Sequence, residues 1–160
     1  MHINVHVATQ TMKLHLDDGQ ELSYPISTAS KGTGQQEGSW QTPLGRHVIR
    51  AKIGAGHPLG SVFESRRFTG EIYTPELKQK YPGRKDWILT RIFWLSGLER
   101  HYNRLGDVDT MRRYIYIHGS PDTAVMGEPG SRGCIRMHGK DIIDLFERVP
   151  AGTAIDILSE

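Results

Sequence analysis

Apolar residues alternate with polar ones along the first 27 positions. Ile3, Val5 and Val7 share one parity, and Met12, Leu14 and Leu16 repeat the spacing. A period of two is the signature of a strand with one buried face. DDGQ (17–20) carries Asp-Gly, a strong hairpin turn, and Leu22, Tyr24 and Ile26 resume the alternation behind it. The pattern predicts a strand followed by a hairpin. Residues 28–46 hold few apolar side chains and four glycines, Gly32, Gly34, Gly38 and Gly45, which marks a loop. HVIRAKI (47–53) reads as the next strand.

The middle of the chain is mixed. GAGHPLG (54–60) is loop, TPELKQKYPG (74–83) predicts a short helical turn closed by proline, and WILTRIFWL (87–95) predicts a buried strand. A polar stretch from Gly97 to Thr110 then leads to the compact β run YIYI (114–117), which ends at His118-Gly119. Residues 119–133 have no periodicity of their own, and connections of that length inside a compact domain are usually functional. Ile142, Leu145, Phe146 and Val149 follow the i, i+3, i+4, i+7 spacing of one helix face, closed by Pro150 and Gly152. AIDIL (154–158) is a final strand. The expectation is one strand-dominated domain over residues 1–160, with one clear helix after Cys134.

Composition excludes several function classes. A chain of 160 residues can bury a core without a disulfide or metal staple. The formal charge of +2 is no footprint for nucleic acid, so no nucleic-acid partner is expected. Arginines cluster at 66–67, 112–113 and 132–136, and such pairs read first as solvated surface. No apolar run approaches the roughly 20 residues of a membrane span, so no membrane partner is expected. The first residues show no basic segment followed by an apolar one, from which a cytoplasmic location is expected. GxxxxGK[ST], HExxH and paired CxxC patterns are missing, so neither a cofactor nor a metal is expected.

The candidate chemistry lies in SRGCIRM (131–137), which holds the only cysteine, Cys134. A thiol attacks as thiolate, and at an ordinary pKa of about 8.5 little of it is ionised near neutrality. Positive potential could come from Arg132 and Arg136, from the N-terminus of the following helix, or from a histidine. Gly133 lets the backbone approach a substrate. Of eight histidines, His2, His6 and His15 lie in N-terminal strands and face solvent on the simplest reading. His47, His57 and His101 neighbour loops without a partner, and His138 caps or enters the helix. His118 stands where a strand meets the long loop, a place where a fixed base and a returning nucleophile can meet. On the residues alone, a structural thiol and a nucleophile both remain open for Cys134.

IHG (117–119) followed by SRGCIRM resembles the signature of the L,D-transpeptidase catalytic domain family. QTPLG (41–45) and the stretch 97–122 are similar to further family segments, so the resemblance covers nearly the whole chain. It implies a mainly β fold, a sandwich or barrel-like domain with a helix after the cysteine. It implies Cys134 as nucleophile and His118 as base, with the Gly119 carbonyl orienting the imidazole and the Gly133 and Cys134 N–H groups facing the oxyanion. Arg136, with Ser131 and Arg132, is implied in substrate binding. One departure stands out: the family commonly has histidine two residues before the cysteine, where this chain has Arg132. An arginine is no base near neutral pH, so His118 must act alone, while Arg132 favours the thiolate or contacts a substrate carboxylate.

The family's implied chemistry is attack on peptidoglycan tetrapeptides, releasing the terminal D-alanine and leaving a thioester. Water as acceptor makes the enzyme an L,D-carboxypeptidase acting on muropeptides during wall recycling, which is the expected activity. An amine acceptor would make it an L,D-transpeptidase forming 3-3 cross-links, and a non-catalytic fragment binder is the third reading. Carbapenem-type β-lactams are the expected covalent inhibitors.

Overall fold

The computed structural model describes residues 1–160. The strands are β1 (His2–His6), β2 (Thr11–His15), β3 (Glu21–Pro25), β4 (Gly45–Ile53), β5 (Ser61–Glu64), β6 (Arg67–Ile72), β7 (Ile88–Gly97), β8 (Tyr116–Ser120), β9 (Ile135–His138) and β10 (Ala154–Leu158). Two helices, α1 (Pro75–Lys80) and α2 (Gly139–Arg148), complete the fold with a short 3-10 turn at Gly106–Val108. The architecture is mainly β, as the resemblance implies.

The hairpin between β2 and β3 forms where Asp-Gly predicts it. Gly19 takes a φ of 88° and Asp18 Oδ1 accepts from the Gln20 N–H at 2.9 Å. The alternating apolar residues of β1 and β2, Ile3, Val5, Met12 and Leu14, are all fully buried. The strand order is β3-β2-β1-β10-β4-β7-β5-β6, with β8 branching from β7 and carrying β9 on its other edge. Two pairs are parallel, β1 with β10 and β8 with β9. No helix is long and apolar enough to cross a membrane.

Each helix has a local cause. Thr74 caps α1 by accepting from the Leu77 N–H at 3.0 Å, and Pro75 sits in the first turn, where its missing N–H costs nothing. α2 buries Ile142, Leu145 and Phe146 against the sheet, each worth about 1.5–3 kcal/mol in transfer terms. Those side chains join Phe93, Leu95, Ile117, Ile135 and Met137 in the main core, beneath the strands that carry the cysteine and His118.

Three boundaries differ from the expectation. YIYI does not start a strand at 114, because Tyr114 has a φ of 56°; β8 begins at Tyr116 and runs through Ser120. His118 therefore lies in the middle of a strand, not at its end, and Gly119 and Ser120 belong to the sheet, not to the loop. The strand β9 stands between Cys134 and α2, four residues too short and too mixed (IRMH) to show a period. β5 and β6 also went unread inside the mixed middle segment.

The edge of the site is built on a bulge in β7. Thr90 adopts a φ of 75°, and the β7–β8 register shifts between Leu89 and Ile92. Gly119 of β8 is packed against that bulge: a Cβ there would meet the Leu89 carbonyl oxygen at 2.5 Å. A backbone atom in a sheet cannot step aside. Gly119→Ala is therefore expected to lower stability by about 1–3 kcal/mol, read as a lower urea midpoint at unchanged m-value.

Candidate active site

Cys134 is the last residue before β9, and the parallel register of β8 and β9 sets what surrounds it. His118 is paired with Arg136, and Ser120 with His138. Ile135 and Met137 point into the core and are fully buried, so Cys134 and Arg136 face the opposite side. Ile117 is likewise in the core, which puts Tyr116, His118 and Ser120 on that same face of β8. A cleft of about 160 Å³ collects His118, Cys134, Asp86, Arg113, Trp40 and Arg132.

The cysteine turn is held from a distant part of the chain. Gly133 takes a φ of 134°, a conformation that side chains rarely adopt. Its carbonyl accepts from Thr42 Oγ1 at 2.8 Å, and the Thr42 hydroxyl oxygen in turn accepts from the Ala29 N–H at 3.0 Å. Thr42 belongs to the QTPLG segment, so that sequence match has a structural cause. Ser131 is buried; its hydroxyl donates to the Cys134 carbonyl and accepts from the Gly133 N–H at 3.2 Å. Ser131, expected in substrate binding, holds the turn through these two bonds. The Gly133 N–H is engaged as well, leaving the Cys134 N–H as the unengaged one of the two expected oxyanion donors.

The imidazole is fixed in one tautomer. His118 Nδ1 lies 2.7 Å from the Gly119 carbonyl oxygen. A carbonyl only accepts, so Nδ1 carries the hydrogen and Nε2 keeps its lone pair. Burial lowers the His118 pKa below its ordinary 6.5, and Arg136 adds to that effect, against the opposing pull of the Gly119 carbonyl and Asp86. The ring is neutral at neutral pH.

The thiol is held in the other direction. Burial pushes the Cys134 pKa up to about 12; the Tyr116 N–H, 3.3 Å from Sγ, opposes this, Asp86 reinforces it, and Arg113 opposes it. Sγ itself donates to the Tyr114 carbonyl at 3.5 Å. The thiol and the imidazole that share the cleft are thus both held neutral at neutral pH.

The positive potential does not come from the expected places. Arg132 lines the cleft but is engaged by others, pairing with Asp86 at 3.6 Å and standing over the Trp40 ring at 5.7 Å. Arg136 donates from Nη2 to Ser27 Oγ at 3.2 Å. α2 starts at Gly139, beyond β9, so its N-terminus does not meet the thiol. The cation that acts on Cys134 is Arg113. It is half-buried and donates to the carbonyl oxygens of Gly34 and Gln41 and to Ser39 Oγ. Sequence reasoning passed over it as half of a solvated 112–113 pair, and nothing in the local pattern marks its depth. Asp86 and Trp40 were missed for the same reason.

Of the remaining histidines, His47 has the partners that its loop position did not suggest. Nδ1 donates to the Gly45 carbonyl oxygen at 2.9 Å, and Nε2 lies 2.9 Å from Thr110 Oγ1. Burial lowers its pKa to about 4, so it is a neutral polar link in the interior. His138 occupies the N-cap of α2, as expected, but makes no side-chain capping bond.

Comparison with known proteins bears on the fold and the family. The family model YkuD, the L,D-transpeptidase catalytic domain, matches residues 1–157. Among curated relatives, "Putative L,D-transpeptidase YkuD" of Bacillus licheniformis is 37% identical over 156 residues, 97% of this chain and 64% of its own length. The protein of that name from Bacillus subtilis is 28% identical over 157 residues, 98% of this chain and 65% of its own. The chain thus spans somewhat under two thirds of each relative. Among solved structures, L,D-transpeptidase 3 from Mycobacterium tuberculosis superposes with a TM-score of 0.60 at 13% identity, covering 99% of this chain and 60% of that one. An L,D-transpeptidase from Mycobacterium smegmatis gives 0.55 at 18% identity, covering 98% and 58%. At such identities the structures speak for the fold, while the sequence model spans the sheet from β1 to β10, and the chain belongs to the L,D-transpeptidase catalytic domain family.

Proposed function

We propose that residues 1–160 form one catalytic unit, an L,D-carboxypeptidase that removes the terminal D-alanine from peptidoglycan tetrapeptides through a thioester on Cys134. The observation that carries this reading is the shared cleft of Cys134 and His118, with the imidazole Nδ1 tied to the Gly119 carbonyl and Nε2 free to act as base. As Sγ attacks the scissile carbonyl carbon, Nε2 takes the thiol proton. The oxyanion forms within reach of the unengaged Cys134 N–H. The imidazolium then protonates the leaving nitrogen, D-alanine departs, and the acyl group stays on sulfur. Water, deprotonated by His118, attacks the thioester, and the thiol regains the proton.

Water as acceptor is supported by room. A cleft of about 160 Å³ is smaller than the roughly 300–1,000 Å³ that encloses a drug-sized ligand. It suits the end of one peptide stem and a water. On this reading the substrate is a free muropeptide met in the cytoplasm. Transpeptidation is the second reading, favoured by the names of the two Bacillus relatives. The same thiol is a target for carbapenems. One solved L,D-transpeptidase of this fold is described in complex with imipenem, and another with a faropenem-derived adduct.

Incubation with disaccharide-tetrapeptide, followed by mass spectrometry, tests the reading. Loss of one alanine without dimers is expected. Dimers alone would show a transpeptidase, and no turnover together with a thiol inert to imipenem would show a binder.

A further inference from the structure

The orientation of the thiol depends on two residues whose own placement the reaction leaves unexplained. Sγ donates to the Tyr114 carbonyl at 3.5 Å and accepts from the Tyr116 N–H at 3.3 Å. Both bonds use backbone groups, so the aim of the sulfur follows the path of the chain from 114 to 116. Tyr114 is poorly placed to hold that path by itself. Its φ of 56° is uncommon for a bulky side chain, and the residue is 56% exposed, so burial does not fix it.

One side chain reaches both tyrosines. The Arg66 guanidinium lies 5.2 Å from the Tyr114 ring centroid and 4.5 Å from that of Trp94, and its Nη1 donates to the Tyr116 hydroxyl at 3.0 Å. Trp94 completes the set. It stacks on Tyr114 at 6.3 Å, meets Tyr116 edge-on at 6.2 Å, and is anchored by its indole N–H to the Met111 carbonyl at 3.1 Å. Arg66 forms no ion pair within 4.0 Å, so the two rings and the phenol are its partners. A guanidinium suits them, since its flat face lies on aromatic rings while its edge donates.

The backbone at Arg66 points the same way. Glu64 and Arg67 close the β5–β6 hairpin, which leaves Ser65 and Arg66 as its turn. Both have positive φ, 47° and 64°. A two-residue turn of that kind favours Asn-Gly, because glycine takes the second position without strain. Here a long side chain occupies it. Such an outlier points to a use for the side chain, and the contacts with Tyr114, Trp94 and Tyr116 supply one.

We propose that Arg66 is a positioning residue for the nucleophile: from the tip of the β5–β6 hairpin it holds Tyr114 and Tyr116, and through their backbone groups it holds Cys134 Sγ in one orientation. The consequence for rate rests on the acyl-transfer reading above; the orientation does not. Arg66→Gly tests it, because glycine suits the turn and only the side chain is lost. The urea midpoint is expected to stay near that of the wild type. Three-bond couplings at Cys134 are expected to show one χ1 rotamer in the wild type and rotamer averaging in the variant. A misplacement of about 1 Å can cost roughly 10²-fold in rate, so single-turnover acylation by tetrapeptide is expected to slow by about ten-fold or more. Peptide affinity, compared in Cys134→Ala protein with and without the change, is expected to be unaltered. Arg66→Lys keeps a cation beside the rings and is expected to restore part of both signals. An unchanged rotamer or an unchanged acylation rate in Arg66→Gly would overturn the assignment, as would a slower rate matched by a lower urea midpoint. If the wild type is not acylated at all, the acyl-transfer reading fails, and the couplings alone decide on Arg66.

Discussion

His118→Ala is expected to lower kcat/KM for tetrapeptide cleavage by roughly 10²- to 10⁴-fold, the range for loss of a positioned general base. The case rests on the electrostatics of the pair. With the thiol pushed up to about 12, almost no thiolate exists at neutral pH, so the enzyme cannot coast on a preformed nucleophile. On the proposed mechanism, attack then requires a base to take the proton in the same event, and no other histidine lines the cleft. The pH profile carries the sign of the same argument. The base works only while neutral, and its pKa lies below 6.5. Activity should therefore hold as pH falls through 6.5, decline only at lower pH, and show no thiol-controlled limb between pH 7 and 10. A rate that climbed steadily through pH 8–9 in step with alkylation of Cys134 by iodoacetamide would contradict this assignment.

Arg113→Ala is expected to have the second-largest effect, on two readouts at once. Stability should drop on the order of 2 kcal/mol, since a charged donor serving three acceptors is removed and the Gly34 and Gln41 carbonyls lose their partner. The thiol should also become harder to ionise, because the one cation that opposes its burial is lost. Denaturant unfolding measures the first, and the pH dependence of iodoacetamide alkylation the second. Arg113→Lys separates them: it restores the charge without the fork that reaches several acceptors, so it should recover alkylation more than stability. A thiol indifferent to both changes would remove Arg113 from the electrostatics of the site.

Much of this fold is legible in the chain because the physics is local. The β1–β3 strands alternate without interruption, and Asp18-Gly19 names its own turn. α2 shows its period because one face is dry. The pair Cys134 and His118 is legible through the resemblance. What stays hidden depends on depth or on a single dihedral. Nothing in YIYI announces that Tyr114 is left-handed, so the strand start shifts by two residues and His118 moves to mid-strand. IRMH is too short to show alternation, although its Ile135 and Met137 are core residues. Arg113 and Asp86 look like any surface charge until the fold brings them to the thiol, whereas Arg132, two residues away in sequence, engages Asp86 and Trp40 at the cleft.

The bond from Thr42 to the Gly133 carbonyl has a consequence for how the thiol keeps its orientation. The cysteine turn owes its shape to a loop more than 90 positions earlier, and the two are joined by the Thr42 hydroxyl and by backbone bonds of Ser27, Thr28 and Ser30 to residues 130–136. Proteins open in cooperative pieces whose free energies range from near zero to that of global unfolding. Residues 27–42 and the cysteine turn are bonded to each other at several points, so they are expected to open as one piece, which hydrogen exchange would read as matched protection of the Ser27, Ser30 and Ser131 amides; the aim of the thiol would then depend on that piece as well as on the barrel-like body that carries it.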